Sequence, residues 1–183
     1  MSFAKILYFG DFVVIPLYVV CFAYAGFSTM GVSAAPSWAT ALGLGLFAWT
    51  FIEYLVHRFV YHSWPFFTRL HHEHHDSPKA LLGFPAFVSS SILLLAFWTP
   101  LRPFGPAISG GFVSGVLLGY VAYIAVHHAT HHVAAKPGTF FYGLWLRHMA
   151  HHYREEGNFG VTTGLWDRIF GTEIERKGRA ARA

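Results

Sequence analysis

All thirteen histidines of this 183-residue chain fall in four short runs: His57 and His62; His71, His72, His74 and His75; His127, His128, His131 and His132; and His148, His151 and His152. Neutral imidazole ligates iron, copper, nickel and zinc. Four segments supply more nitrogens than one metal accepts, so the pattern predicts two metals. Residues three and four apart share a helix face, so His71, His74 and His75 are expected to converge as a three-nitrogen claw, and His148, His151 and His152 as a second. His127 and His131 form a four-spaced pair, and His128 with His132 a second pair turned about 100° from the first. Only one pair can face the claws squarely, and His127 with His131 is taken as that pair. His57 and His62, five apart, diverge by about 140° on an ideal helix. They therefore serve different metals or sit where the helix loosens.

Counting His57, His62, both claws, His127 and His131 gives ten nitrogens, five for each metal. An octahedral ion then keeps one open position, which dioxygen, water or a bridging oxide can take. Structural zinc is saturated by four ligands and would leave most of these residues unexplained. His72, His128 and His132 are expected around the ligands rather than among them. No catalytic side chain beyond the ligands and no organic-cofactor site is expected.

The elements that must position these runs are apolar helices. With 54% hydrophobic and 12% charged residues and a mean hydropathy of +0.41, the chain suits lipid better than water, and nucleic acid is excluded as a partner. Residues 12–52 carry no charge, and Ser28 to Ser37, with Gly31 and Pro36, divides them, predicting helices over about residues 6–27 and 38–57. A third apolar run, residues 80–101, is separated from a fourth, 107–126, by Pro100, Pro103, Gly105 and Pro106. The fold expected is all-α and integral to the membrane, with four transmembrane helices in two hairpins and a histidine-rich cytoplasmic cap.

All four histidine runs then share one face with Lys5, Arg58, Arg69, Lys79, Lys136, Arg147 and Arg154, against Arg102 alone opposite, and the positive-inside rule makes that face cytoplasmic. Pro16 is expected to kink the first helix and Asp11 to lie near the interface. The lone Cys21 provides neither a disulfide nor a thiolate site. Residues 1–183 read as one domain: membrane helices and histidine runs over about 6–135, the cap over 136–172 with a helix from His148 to Glu156 and a glycine-marked loop after it, and a basic tail over 173–183.

Around the histidines the chain resembles the fatty acid hydroxylase superfamily, which includes fatty acid 2-hydroxylases, sterol desaturases and carotenoid ring hydroxylases. The resemblance covers about residues 53–172. It is carried by Glu53 to His62, similar to an H-R-x-x-x-H box; by the H-x-x-H-H runs at His71 and His148; by Pro78 and Gly83-Phe84-Pro85; by Gly119-Tyr120 leading to His127 and His131; and by Asn158 to Thr163 and Leu165 to Thr172. It implies two iron ions, with zinc able to replace them in purified material, and dioxygen as oxidant. It also implies electrons from an external donor of cytochrome b5 or ferredoxin type.

The Gly119-Tyr120 approach and the Asn158 to Thr172 ending look most like the 2-hydroxylases, so the expected substrate is a long-chain fatty acyl lipid. A sterol desaturase-like or carotenoid ring hydroxylase activity is the alternative within the class. Outside it stand a non-redox membrane metal-binding or transport protein and a haem-binding electron carrier, both disfavoured by histidines at span ends. Glu53 and Glu73 are candidate carboxylates around the ligands. Phe84, Phe140, Phe141 and Trp145 are candidate substrate lining.

Overall fold

A computed structural model describes residues 3–82 and 86–174. Gly83-Phe84-Pro85 and the tail from Arg176 to Arg182 lie outside the described residues. The described chain is helical, without a strand. Helix α1 (Phe3–Phe9) leads into α2 (Asp11–Met30), and a 3-10 turn (Gly31–Ala34) joins α2 to α3 (Ala35–Leu55), which runs directly into a π-helical turn (Val56–Tyr61). Helix α4 is Pro65–Asp76 and α5 is Ala86–Leu93. A second π turn (Leu94–Trp98) continues into α6 (Thr99–Leu101). After a 3-10 turn (Arg102–Phe104) come α7 (Pro106–His132), α8 (Phe140–Tyr153) and α9 (Leu165–Ile169).

Local chemistry sets these boundaries. Gly31, at φ 61°, ends α2, a conformation glycine adopts without a Cβ penalty. Pro106 opens α7 directly after Gly105, where a missing N–H costs nothing. Thr139 caps α8, its hydroxyl accepting the Tyr142 amide at 3.2 Å.

Among the described residues, two helical stretches are long and apolar enough to cross a membrane, Lys5–Tyr61 and Pro106–His132, with mean hydropathies of 2.1 and 1.7. The first is divided at Gly31–Ala34 into α2 and α3, each about 30 Å long at 1.5 Å per residue. The third apolar run departs from expectation. Ser77 to Leu82 form a turn and irregular chain, and the helical part, Ala86 to Leu101, is about 24 Å long, short of a hydrocarbon core of about 30 Å.

Helix α7 packs along both α2 and α3. Gly111, Gly115 and Gly119 line its α3 side, and a Cβ there would run into the backbone of Trp38, the backbone of Leu42 and the ring of Trp49, respectively. Gly45 on α3 lies just as close to the Phe112 backbone. Small residues four apart let two helices approach backbone to backbone, the chief source of packing energy where the surroundings are apolar. On the α2 side, Ile15, Val113 and Leu117 form a fully buried core flanked by Phe22, Leu94, Phe97 and Tyr120. Asp11 is also buried here, accepting the Tyr120 hydroxyl at 2.8 Å.

Enlarging the seam should therefore be costly. Gly115→Val is expected to destabilise by about 1–3 kcal/mol or more, read as a lowered thermal midpoint in detergent micelles, whereas Gly43→Ala, in open space, should leave it unchanged or slightly raised.

Candidate metal centre

Ten imidazoles gather at the end of α3 and α7, between α4 and α8. His74, His127, His131, His148 and His152 form one group, and His57, His62, His71 and His151 another, the ligand nitrogens in each lying within 4.8 Å of one another. His75 adjoins the second group, its Nε2 3.0 Å from that of His71. We call the second the loop-side centre and the first the α7-side centre.

The partition departs from the expected claws. His71, His74 and His75 do not converge on one point, because on an α-helix His74 is turned about 100° from His75. His71 and His75 face the loop-side centre, while His74 sits 4.5 Å from the His127 ring and 4.8 Å from the His131 ring. Helix α8 does the converse. His148 and His152 enter the α7-side centre and His151 reaches the loop-side one. Each centre thus receives a four-spaced pair from one claw and a single arm from the other.

The remaining pairs come from the membrane helices, His127 and His131 from α7, His57 and His62 from the end of α3. The five-residue spacing of the latter works because Val56–Tyr61 is π-helical, a wider turn that rotates less per residue. Their rings lie 5.3 Å apart on one side.

The convergence cannot be satisfied by protons. His57 Nδ1 donates to the Phe159 carbonyl at 2.6 Å, so its neutral ring presents a bare lone pair at Nε2. That Nε2 lies 3.1 Å from His71 Nε2, which is also 3.0 Å from His75 Nε2. An imidazole nitrogen offers one proton or one lone pair, and no single choice at His71 serves both neighbours if His57 is an acceptor. The pattern continues at 3.3 Å between His62 and His151, 2.8 Å between His131 and His148, and 3.1 Å between His148 and His152, all Nε2 to Nε2. With metal–nitrogen bonds of about 2.1 Å, neighbouring ligands on an octahedron stand about 3.0 Å apart. His74 Nε2 is buried without a hydrogen-bond partner. The residues fit two metal ions.

Burial pushes His71, His74, His75, His148, His151 and His152 below their ordinary pKa, and neighbouring imidazoles push further. His74 and His151 fall to about 3. His62 falls to about 4, lowered by burial and His75 against the opposing pull of Glu155. The rings are held neutral, the form that ligates.

Outer groups orient these rings. His151 Nδ1 donates to the Gly157 carbonyl at 2.8 Å. Glu155 places one oxygen 3.4 Å from His75 Nδ1 and the other 3.1 Å from His72 Nε2. Tyr61 stacks on His71 and Tyr123 on His127. Buried Glu53 accepts from Val161 and Thr162, and buried Asp167 from Phe159, Gly160, Thr172 and Arg147.

Outside both groups lie His72, exposed on α4 against Glu155, and His128 and His132, stacked on each other at 4.2 Å with Tyr8 bonded to His128. Glu73 faces Arg69 instead of the histidines. Phe140 and Trp145 line a cavity between α8 and residues 158–174. Arg147 is committed to Asp167 and Glu173 at 2.8 and 2.9 Å. Sequence reasoning missed Glu155 and Asp167. The first follows His152 by three residues, and the second sits in the apolar run Leu165 to Phe170, where a lone carboxylate signals a buried partner.

With this geometry in place, the comparison with known sequences is decisive: the sequence model named Fatty acid hydroxylase matches residues 42–172. The chain belongs to the fatty acid hydroxylase family. The fatty acid 2-hydroxylase of Mus musculus is 35% identical over 72% of this chain, which spans only 38% of that relative. The dihydroceramide fatty acyl 2-hydroxylase of Arabidopsis thaliana is 34% identical over 84% of this chain and 68% of its own length. The solved structure titled full-length scs7p, with only its hydroxylase domain visible, superposes with a TM-score of 0.75 at 28% identity, covering 99% of this chain and 73% of that one.

The depressed pKa values set the acid behaviour of metal-free protein. Unfolded histidines take protons below about pH 6.5, while the folded rings resist until about 3–4, so the unfolded state binds more protons in between. Stability is therefore full above pH 6.5 and lost as pH falls below it. Chelator-treated protein should hold its thermal midpoint from pH 7.5 to about 6.5 and lose it progressively from there to pH 5; a flat profile down to pH 5 would contradict the neutral, buried cluster.

Proposed function

We propose that this chain is a membrane di-iron hydroxylase that acts on long-chain fatty acyl lipids at carbon 2. The observation that carries the reading is the gathering of ten imidazole nitrogens into two groups at ligand spacing. His57, His62, His71, His75 and His151 would hold one ion, and His74, His127, His131, His148 and His152 the other, with His72, His128 and His132 outside. Iron bound there would supply activation of dioxygen for insertion into a C–H bond. Names of relatives such as fatty acid 2-hydroxylase and dihydroceramide fatty acyl 2-hydroxylase support the substrate class and position.

The chain's own residues do the positioning. Nδ1–H groups donate to backbone carbonyls and leave Nε2 free to ligate. The Tyr61–Tyr123 pair spans both centres, stacking on a ligand of each. Such fixing matters because a reacting carbon misplaced by about 1 Å loses on the order of a hundredfold in rate.

The chain is read as a single domain, with α2, α3, the shorter α5–α6 segment and α7 embedded in the bilayer and residues 136–172 capping the site on the cytoplasmic face. The charge asymmetry between the two ends supports this orientation. Electrons come from a donor of cytochrome b5 or ferredoxin type, steered to exposed Arg69, Lys79 and Arg154.

Lipids hydrolysed from an expressing host should contain new 2-hydroxy fatty acids by mass spectrometry, absent with His148→Ala. Only desaturated sterols or hydroxylated carotenoids would move the activity to another branch of the family. Changing His74, His75, His151 or His152 singly to Ala should remove metal and activity, while His72→Ala should retain both. Reduction by the donor should slow as salt rises, since charges beyond about 8 Å are screened at physiological ionic strength; a salt-independent rate would exclude the basic docking face.

A further inference from the structure

The segment after α8 touches one centre only. Its carbonyls at Gly157 and Phe159 receive the Nδ1–H of His151 and His57, both loop-side ligands, and among the described residues no α7-side histidine bonds to this segment. On the α7-side centre, His148 Nδ1 is buried without a partner.

The segment itself is fixed at five successive amides. Asn158 N–H donates to the Thr172 carbonyl, Phe159 and Gly160 to the Asp167 carboxylate, and Val161 and Thr162 to Glu53. Asn158 holds φ at 56°, which its side chain supports by bonding Arg147 O and the Ile174 amide. Glu53 stands one turn before His57, so a single helix carries both that histidine and a clamp on the segment two residues beyond its carbonyl partner Phe159. Asp167 is tied in turn to Arg147 on α8, one residue before ligand His148.

We propose that Glu53 and Asp167 are positioning residues for the loop-side metal alone, which makes the two ions inequivalent. The inference rests on the two-metal reading. With Phe159 and Gly160 held by Asp167, Val161 and Thr162 by Glu53, and Asn158 by Thr172, which Asp167 itself bonds, the Gly157 and Phe159 carbonyls lock His151 and His57 in the tautomer whose Nε2 ligates. Released, both rings can rotate or move the proton to Nε2. The α7-side ion has no such dependence.

Removing an outer hydrogen-bond partner of a ligating histidine costs about 10–100-fold in metal affinity. The test is chelator competition on the full chain in detergent micelles loaded with cobalt or zinc, counting equivalents bound and the affinity of each. Wild type should bind two. Glu53→Ala and Asp167→Asn should weaken one equivalent by about 10–100-fold and leave the other as in wild type. Asparagine at 167 sets an NH2 against donors already aimed at the carboxylate, whereas Glu53→Gln keeps an acceptor for the loop amides and should restore wild-type binding.

In a His131→Ala background, which removes an α7-side ligand, Glu53→Ala should weaken the single remaining equivalent. If Asp167→Asn fails to fold, Thr162→Val, which deletes only the hydroxyl bond to Glu53, decides the matter by a smaller shift in the same equivalent. Equal weakening of both equivalents, or of neither, overturns the inequivalence alone. A wild type that binds fewer than two overturns the two-metal reading and this proposal together.

Discussion

A neutral imidazole has one lone pair, and lone pairs brought within about 3 Å of each other repel unless a cation or proton lies between them. Everything else in this structure serves to hold ten such rings in that arrangement. The cost is built into the fold: seven rings outside the membrane helices are driven below their ordinary pKa by burial and by neighbouring imidazoles. Metal ions bound between the rings would convert that repulsion into bonds. Metal and fold would then be coupled, with the ligands preorganised by the helices and the helices drawn together by the ions.

The framework achieves this through one close helix contact. Gly111, Gly115 and Gly119 let α7 lie against α3 at backbone distance, which sets the His127 end of one helix beside the His57 end of the other. The claws of α4 and α8 then bridge the two ends, each giving a pair to one centre and one arm to the other. His75 and His152, stacked at 4.1 Å, mark where the centres meet. The two halves follow the same plan, but only the loop-side half is held by the Glu53- and Asp167-bound segment, so their similarity stops at the ligands.

The histidine runs, their grouping on one side of apolar helices and the glycine-tyrosine approach to His127 were all legible in the sequence, because ligand type and spacing are local facts. The loosening of the helix at His57 and His62 was also foreseeable, since five-residue spacing on an ideal helix separates them. The exchange of arms between claws was not. It depends on where two other helices place their pairs, which no local spacing encodes. For the same reason Glu155 and Asp167 were missed: each matters through a partner far along the chain or across a turn. In the third apolar run, Ala80 to Leu82 are apolar yet lie in turn and irregular chain, and hydropathy does not register backbone geometry.

The most direct test is X-ray absorption at the metal edge together with anomalous scattering from the metal-loaded chain. Two scattering positions are predicted, one in each histidine group, each with about five nitrogen neighbours near 2.1 Å and no sulfur. A single position, or a four-coordinate site that leaves His74 or His151 unbound, would contradict the account.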